Sequence, residues 1–139
     1  MTTEVALDPS YSSPEAEQAI LQELQVALYR FLNPLTGGPQ GEGWPFGTPV
    51  YPSDIITLLQ TMTGVRYLGA VSLYEIRQQR RQRAVEQSTN QSAGQNPDQE
   101  TEWVRRLAPD NVGTPDPLGL ICSWNDSQLS TGHTIRVIH

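Results

Sequence analysis

The segment from Leu28 to Asp54 constrains this chain more than any other, because glycine and proline recur throughout it. It contains five glycines and five prolines. Proline fixes the backbone φ angle and glycine permits positive φ, so the segment cannot form a continuous helix or a central strand. It also carries Trp44, Phe46 and Tyr51, which a disordered linker would normally lack. We therefore predict an ordered loop that packs against another part of the molecule.

The residues before this loop predict a strand and a helix. Alternating apolar residues indicate a short strand from Glu4 to Asp8. Ser13 followed by Pro14 is a typical helix start, since the hydroxyl caps the first turn and proline suits the first helical position. Apolar residues then recur at steps of three and four as far as Phe31, which predicts an amphipathic helix.

The residues after the loop predict a second helix and a second strand. Ser53 is a candidate helix cap, and Asp54 adds a favourable charge to the first turn. The strand is expected at Val65–Leu73, with Tyr67 on its apolar face. The predicted fold class is α+β, a small sheet with two amphipathic helices on one face joined by the long Gly/Pro-rich loop.

The composition changes after Tyr74. Residues 75–102 are rich in Gln, Arg, Asn and Ser, which predicts a solvated helix over Glu75–Gln87 followed by a mobile linker. Leu118–Trp124 and His133–Ile138 each have the pattern of a strand, and together they predict a C-terminal β-hairpin. We therefore divide the chain into an α+β domain (1–74), a linker (75–102) and a C-terminal β segment (103–139).

Charge and cysteine content narrow the classes of function. The net charge is −6, and all nine basic residues are arginine. Such an acidic chain is not expected to bind nucleic acid, because that affinity rests on neutralising phosphates. Cys122 is the only cysteine, which excludes an internal disulfide and a cysteine-based zinc site within one chain. With no signal-peptide pattern and no long apolar run, we expect a protein that is cytoplasmic when made and does not insert into membranes.

The motifs that would carry catalysis or ligand binding are weak. The glycines of the loop follow a predicted helix and fit no phosphate-binding fingerprint. Cys122, His133 and His139 are dispersed, and the apolar residues around Cys122 favour a small buried side chain over a nucleophile. Because no set of nucleophile, base and orienting group can be assembled, we expect no enzymatic activity, no cofactor and no metal.

Four arginines cluster at Arg77, Arg80, Arg81 and Arg83. A run of like charge is usually a solvated surface, and no aromatic side chains interleave with this one as stacking platforms. The cluster therefore favours a solvated linker or a contact with an acidic protein over a nucleic-acid site.

The loop and its flanks resemble a known family. The words LYRFLNPLTGG, GEGWPFG, VYPSDIITLLQ and GVRYLGAVSLY are similar to those of the baseplate assembly proteins of contractile injection systems, the baseplate J-like group. The resemblance covers residues 16–74 and extends more loosely to PLGLICSWNDSQLSTGHTIRVI. Members of that family are typically several times longer, with this region near their C-terminal end.

This resemblance implies a structural role. Such proteins form wedges of a six-fold baseplate around the hub and spike, beneath a contractile sheath and an inner tube, and they are not enzymes and carry no cofactor. The expected partners are other wedge subunits, a longer baseplate J-like protein, and the hub, spike and sheath components. The expected location is an assembled injection particle.

Two hypotheses follow, a structural baseplate subunit and, as the alternative, a non-enzymatic adaptor that binds an acidic protein through Arg77–Arg83. The candidate interface residues are Trp44, Phe46, Tyr51, Arg77, Arg80, Arg81, Arg83 and Trp103. The three loop aromatics have a second interpretation, in which they close the loop onto the preceding helix. Both interpretations of these aromatics stay open at the level of sequence.

Overall fold

A computed structural model of the chain describes residues 1–80, 101–125 and 132–139. The elements in chain order are β1 (Thr2–Leu7), α1 (Pro14–Phe31), α2 (Pro52–Gln60), β2 (Val65–Ser72), β3 (Tyr74–Arg80), β4 (Thr101–Leu107) and β5 (Thr134–Val137). A single-turn 3₁₀ helix lies at Pro9–Tyr11, and Pro109–Asn111 forms a tight turn in which Asp110 and Asn111 have positive φ. Helices and small sheets share one chain, which confirms the α+β class.

The strands form two sheets. In the first, β1 is central, and it pairs antiparallel with β2 and parallel with β5. In the second, β3 and β4 form an antiparallel ribbon. The pairing of β1 with β5 places the first residues of the chain beside the last ones in the same sheet.

One hydrophobic core lies between the helices and the first sheet. Helix α1 contributes Ile20, Leu24 and Leu28, and helix α2 contributes Ile55 and Leu59. These residues recur at steps of four and eight, which place them on one helical face. Burial of each such side chain contributes roughly 1.5–3 kcal/mol.

The starts of the two helices differ in how they are capped. Ser13 caps α1 as predicted, and its Oγ accepts a hydrogen bond from the Ala16 amide at 3.2 Å. The predicted cap of α2, Ser53, is wrong, because the N-cap is Tyr51 and the helix begins at Pro52. Proline occupies the first helical position, so the cap must precede it. The Asp54 carboxylate accepts from the Tyr51 amide at 2.8 Å.

Strand β2 lies where it was predicted, but buried and exposed side chains do not alternate along it as the sequence pattern predicted. Tyr67 is 49% exposed, whereas the neighbouring Leu68 packs against the core. The ladder with β1 contains two register irregularities, and at each one β2 carries an extra residue. A β-bulge shifts the side chains beyond it to the opposite face, so the two-residue period of the sequence alone misplaced Tyr67.

The predicted solvated helix over Glu75–Gln87 is wrong for the part that the structure describes. Residues 75–80 belong to β3, which pairs in continuous register with β4 from Tyr74–Leu107 to Arg80–Thr101. The Gln- and Arg-rich composition suits a helix, but pairing with a strand far along the chain overrides that weak preference. The remainder of the predicted linker as far as residue 100 lies outside the described residues.

The predicted C-terminal strand is confirmed at Thr134–Val137, but the predicted hairpin is wrong. Leu118–Trp124 forms no strand, and β5 pairs in parallel with β1 instead. Pro117 precedes this stretch and Gly119 lies within it, and the Gly119 carbonyl accepts from the Gly47 amide at 3.0 Å. Proline lacks a ladder donor and glycine weakens a strand, so the segment packs as irregular chain against the loop.

The two sheets meet at a junction that is held by Asn111. Its side-chain amide donates to the Val71 carbonyl and its Oδ1 accepts from the Leu73 amide, both at 2.6 Å. Asn111 has a φ of +57°, a conformation that asparagine adopts more readily than most residues. One side chain therefore satisfies two backbone groups where β2 passes into β3.

We predict that Asn111→Ala lowers the free energy of unfolding by about 2 kcal/mol more than Asp110→Ala, because it leaves two partly buried backbone groups unpaired. Asp110 is a matched control, since its φ of +53° is similar and its side chain is exposed. Urea unfolding of both variants measures the difference. Equal losses would show that backbone strain, and not the two hydrogen bonds, governs this turn.

Candidate functional site

The Gly/Pro-rich loop between α1 and α2 is ordered around Trp44. The indole is 6% exposed, its Nε1 donates to the Phe31 carbonyl at 2.7 Å, and its ring packs edge-on against the Phe31 ring at 5.3 Å. Buried tryptophan normally finds such a hydrogen-bond partner. Of the two interpretations, Trp44 therefore follows the second, because it closes the loop onto the C-terminal end of α1.

The glycines of the loop serve close backbone packing. A Cβ atom on Gly37 would lie 2.1 Å from the Phe31 carbonyl oxygen, and one on Gly43 would lie 2.7 Å from that of Pro34. The amides of both glycines donate to carbonyls within the loop at 2.9 Å. These amides are committed to the loop itself and are not aimed at an anion, which explains the glycines without a phosphate site.

The other two loop aromatics are placed differently from Trp44. Phe46 is 66% exposed and Tyr51 is 47% exposed. A second segment, residues 113–119, runs beside the loop through the Gly47–Gly119 hydrogen bond and a bridge between Val50 and Gly113. This segment brings the 87% exposed Leu118 next to the same part of the molecule. We call Phe46, Tyr51 and Leu118 the apolar loop surface.

The arginine cluster is only partly described, and Arg77, the member whose side chain is described, is engaged within the chain. Arg77 Nε lies 3.1 Å from the Glu75 carboxylate, and its guanidinium also contacts Asp116 at 3.4 Å and the Thr114 carbonyl at 3.1 Å. Arg106 pairs with the same Glu75 carboxylate. Arg77 thus holds the 113–116 segment against β3, a structural role that sequence reasoning missed.

The Glu75 carboxylate titrates in line with these contacts. Burial opposes its ionisation, but the hydrogen bonds and charges of Arg106 and Arg77 outweigh burial and hold the pKa of Glu75 below its usual value. The other three predicted members of the cluster lie at or beyond the end of β3. The backbone of Arg80 ends β3, and Arg81 and Arg83 lie outside the described residues.

Trp103 belongs to a second exposed feature on the β3–β4 ribbon. Its ring packs against that of Trp124 with centroids 4.9 Å apart, and the two residues are 42% and 40% exposed. A groove of about 550 Å³ lies beside them, between the ribbon and residues 113–124. Trp103 is therefore half covered within the chain and half available, unlike Phe46.

The cysteine and the histidines do not form one site. Cys122 is exposed, which corrects the prediction of a buried side chain, since the expected strand around it is absent. His133 Nε2 lies 2.9 Å from Ser123 Oγ, and its ring packs on Tyr29 with centroids 4.5 Å apart. His139 is a separate surface residue, 3.8 Å from Glu17.

The Ser123–His133 pair could not be found from sequence, because the two residues belong to no motif and are brought together by folding. His133 Nδ1 is buried and has no hydrogen-bond partner among the described residues. Without an acceptor there, no described residue fixes the imidazole tautomer in the way that a Ser–His–Asp triad requires. Burial, assisted by the positive charge of the nearby amino group of Met1, lowers the pKa of His133 to about 4.

Within residues 1–80, 101–125 and 132–139, no group of three His, Cys, Asp or Glu side chains is arranged to hold a metal ion. The described helices include none with the length and apolarity needed to span a bilayer. Comparison of the chain with protein-family models, with curated proteins and with solved structures gives no match.

We predict that Trp44→Ala lowers the free energy of unfolding by about 3–5 kcal/mol, because it empties a core position and removes the indole hydrogen bond. Phe46→Ala is the control, a neighbouring aromatic residue that is mostly exposed and should cost less than about 1 kcal/mol. Urea unfolding compares the two. Similar values would mean that Trp44 does not anchor the loop.

We predict that His133→Gln reduces the loss of stability on acidification. The His133 pKa is lowered from 6.5 to about 4 in the folded protein, so between those values only the unfolded chain takes up the proton. Stability contributed by neutral His133 is present above pH 6.5 and falls as the pH drops toward 4. Unfolding free energies at pH 7.5 and pH 5 measure this change.

The matched control for this pH dependence is His139→Gln, which removes the other histidine of the chain at an exposed position. This variant should retain the pH dependence of the unmodified protein. If His133→Gln retains it as well, the burial of a neutral imidazole is not what links stability to pH.

Proposed function

We propose that this chain is a structural subunit of the baseplate of a contractile injection system, in the wedge that surrounds the hub and spike. The observation that carries the proposal is the Gly/Pro-rich loop, whose sequence words and flanks are similar to the baseplate J-like group. Those words encode a rigid shape, because their glycines permit close backbone approach and their tryptophan is buried.

The exposure of the apolar loop surface supports an assembly role. Phe46 and Leu118 are more than half exposed, yet the backbone that carries them is held by Trp44 and by the Gly47–Gly119 hydrogen bond. Large apolar side chains on a fixed surface typically mark a contact with another protein. A rigid backbone also limits the conformational entropy that is lost on binding.

The alternative, an adaptor that binds an acidic protein through Arg77–Arg83, has less support. The Arg77 guanidinium is already paired with Glu75 and Asp116. A partner carboxylate would have to replace these contacts, which reduces the net gain from a new ion pair. The apolar loop surface requires no such exchange.

The direct test of this proposal is the composition of the particle. The chain, carrying an affinity tag, is expressed together with its neighbouring coding sequences, and assembled particles are isolated and analysed by quantitative mass spectrometry. We expect a fixed ratio of this chain to the baseplate components and its loss when baseplates are removed from sheaths. Particles that assemble fully without the chain would overturn the proposal.

We predict that Phe46→Ser and Leu118→Ser each reduce incorporation into particles by about tenfold or more, as expected when a central apolar contact worth about 1.4 kcal/mol is lost. Both side chains are exposed, so the free energy of unfolding should change by less than about 0.5 kcal/mol. Tyr67→Ser, at an exposed aromatic residue on β2, is the control and should be incorporated normally. Normal incorporation of both loop variants would exclude this surface from assembly.

A further inference from the structure

A second concave surface lies on the Gly/Pro-rich loop, formed by residues between 39 and 54. It is a groove of about 460 Å³, and its lining includes Trp44, Tyr51, Glu42 and Asp54 together with three prolines. Every lining residue belongs to the described chain, and the groove needs no other segment to complete it. We call it the loop groove.

The loop groove is built on fixed walls. Trp44 cannot turn away, because its indole is buried and hydrogen-bonded to the end of α1. Tyr51 is the N-cap of α2, and Asp54 in the first turn accepts from its amide. Prolines in the lining restrict the backbone further. The groove is therefore formed before any partner arrives.

The charge of the loop groove is acidic. Its lining holds two carboxylates, Glu42 and Asp54, and no basic residue. The sequence from Phe31 to Val65 contains no arginine, and the chain contains no lysine. Among the described residues neither carboxylate is paired with a cation. Two negative charges beside a half-exposed tyrosine ring thus lack a positive counterpart within this part of the chain.

We propose that the loop groove binds an arginine side chain that a partner protein presents. A guanidinium combines a flat face that stacks on an aromatic ring with a row of donors that matches a carboxylate. The same chain already uses both contacts, since the Arg105 guanidinium lies 3.8 Å above the Tyr74 ring and Arg77 pairs with Glu75. An anionic partner group would meet only repulsion from Glu42 and Asp54.

The inference rests on the proposed function for the source of the partner, a neighbouring baseplate subunit. It adds a charged contact to the proposed interface. The apolar loop surface would provide buried apolar area, and the loop groove would select a positively charged side chain. Electrostatic selection of this kind rejects wrong partners more strongly than it raises affinity. The affinity of the groove for an arginine side chain is nevertheless a property of the isolated chain and can be measured without particles.

The test uses the full chain labelled with ¹⁵N and titrated with N-acetyl-arginine methylamide while amide and indole resonances are followed by NMR. We expect saturable shifts of the Trp44 indole and of the amides from Gly41 to Tyr51, with a dissociation constant on the order of millimolar for so small a ligand. The citrulline analogue, which has the same shape without the charge, should give no saturation. Equal binding of the citrulline or the lysine analogue would overturn the assignment to arginine.

Glu42→Gln tests the carboxylate and should weaken arginine binding by about threefold to fivefold, as the loss of one exposed ion pair predicts. Glu23→Gln makes the same change at an exposed site on α1 and should bind as the unmodified chain does. Unchanged affinity in Glu42→Gln would contradict the inference. If the chain is absent from baseplates but binds arginine, the proposed function fails alone; if it is a baseplate component but does not bind arginine, the inference fails alone.

Discussion

The carbonyl of Phe31 is the point on which the loop and its exposed surfaces depend. It accepts two hydrogen bonds, one from the Trp44 indole and one from the Gly38 amide, both at 2.7 Å. The last carbonyls of a helix have no partner within the helix, so a following segment that can supply donors is drawn to that end. Here two donors from one loop satisfy a single carbonyl. The chain between α1 and α2 is therefore fixed at the helix end, although it has no regular secondary structure.

Contacts between distant segments connect the loop to the second sheet. Residues 113–119 pair with the loop through Val50 and Gly47, and Arg77 holds the same segment against β3. Asn111 joins β2 to the turn that precedes this segment. Each link connects residues that are far apart in the chain. A two-stranded ribbon such as β3–β4 is only marginally stable alone, and these links attach it to the core.

One loop carries both buried side chains that hold its backbone and side chains that remain exposed. Trp44 and the glycines face inward and hold the backbone, whereas Phe46, Tyr51 and the two carboxylates of the loop groove remain accessible. Asp54 belongs to both groups, because its carboxylate also accepts from the Tyr51 amide at the start of α2. The aromatic-rich loop does not simply collapse on itself, since the prolines and positive-φ glycines prescribe its course.

The sequence by itself determined the local elements, namely the β1 strand, the Ser13-capped helix, the ordered loop and the C-terminal strand. Their signals are short-range, because capping, apolar periodicity and backbone restriction by proline act within a few residues. Only the tertiary structure decided the partners. Three features depend on distant chain segments: the pairing of β5 with β1, the strand at Glu75–Arg80, and the contact of Ser123 with His133.

The tertiary structure also distinguishes the loop aromatics, since the sequence marked Trp44, Phe46 and Tyr51 alike. Trp44 is buried with its indole donating to the Phe31 carbonyl, whereas Phe46 and Tyr51 stay exposed.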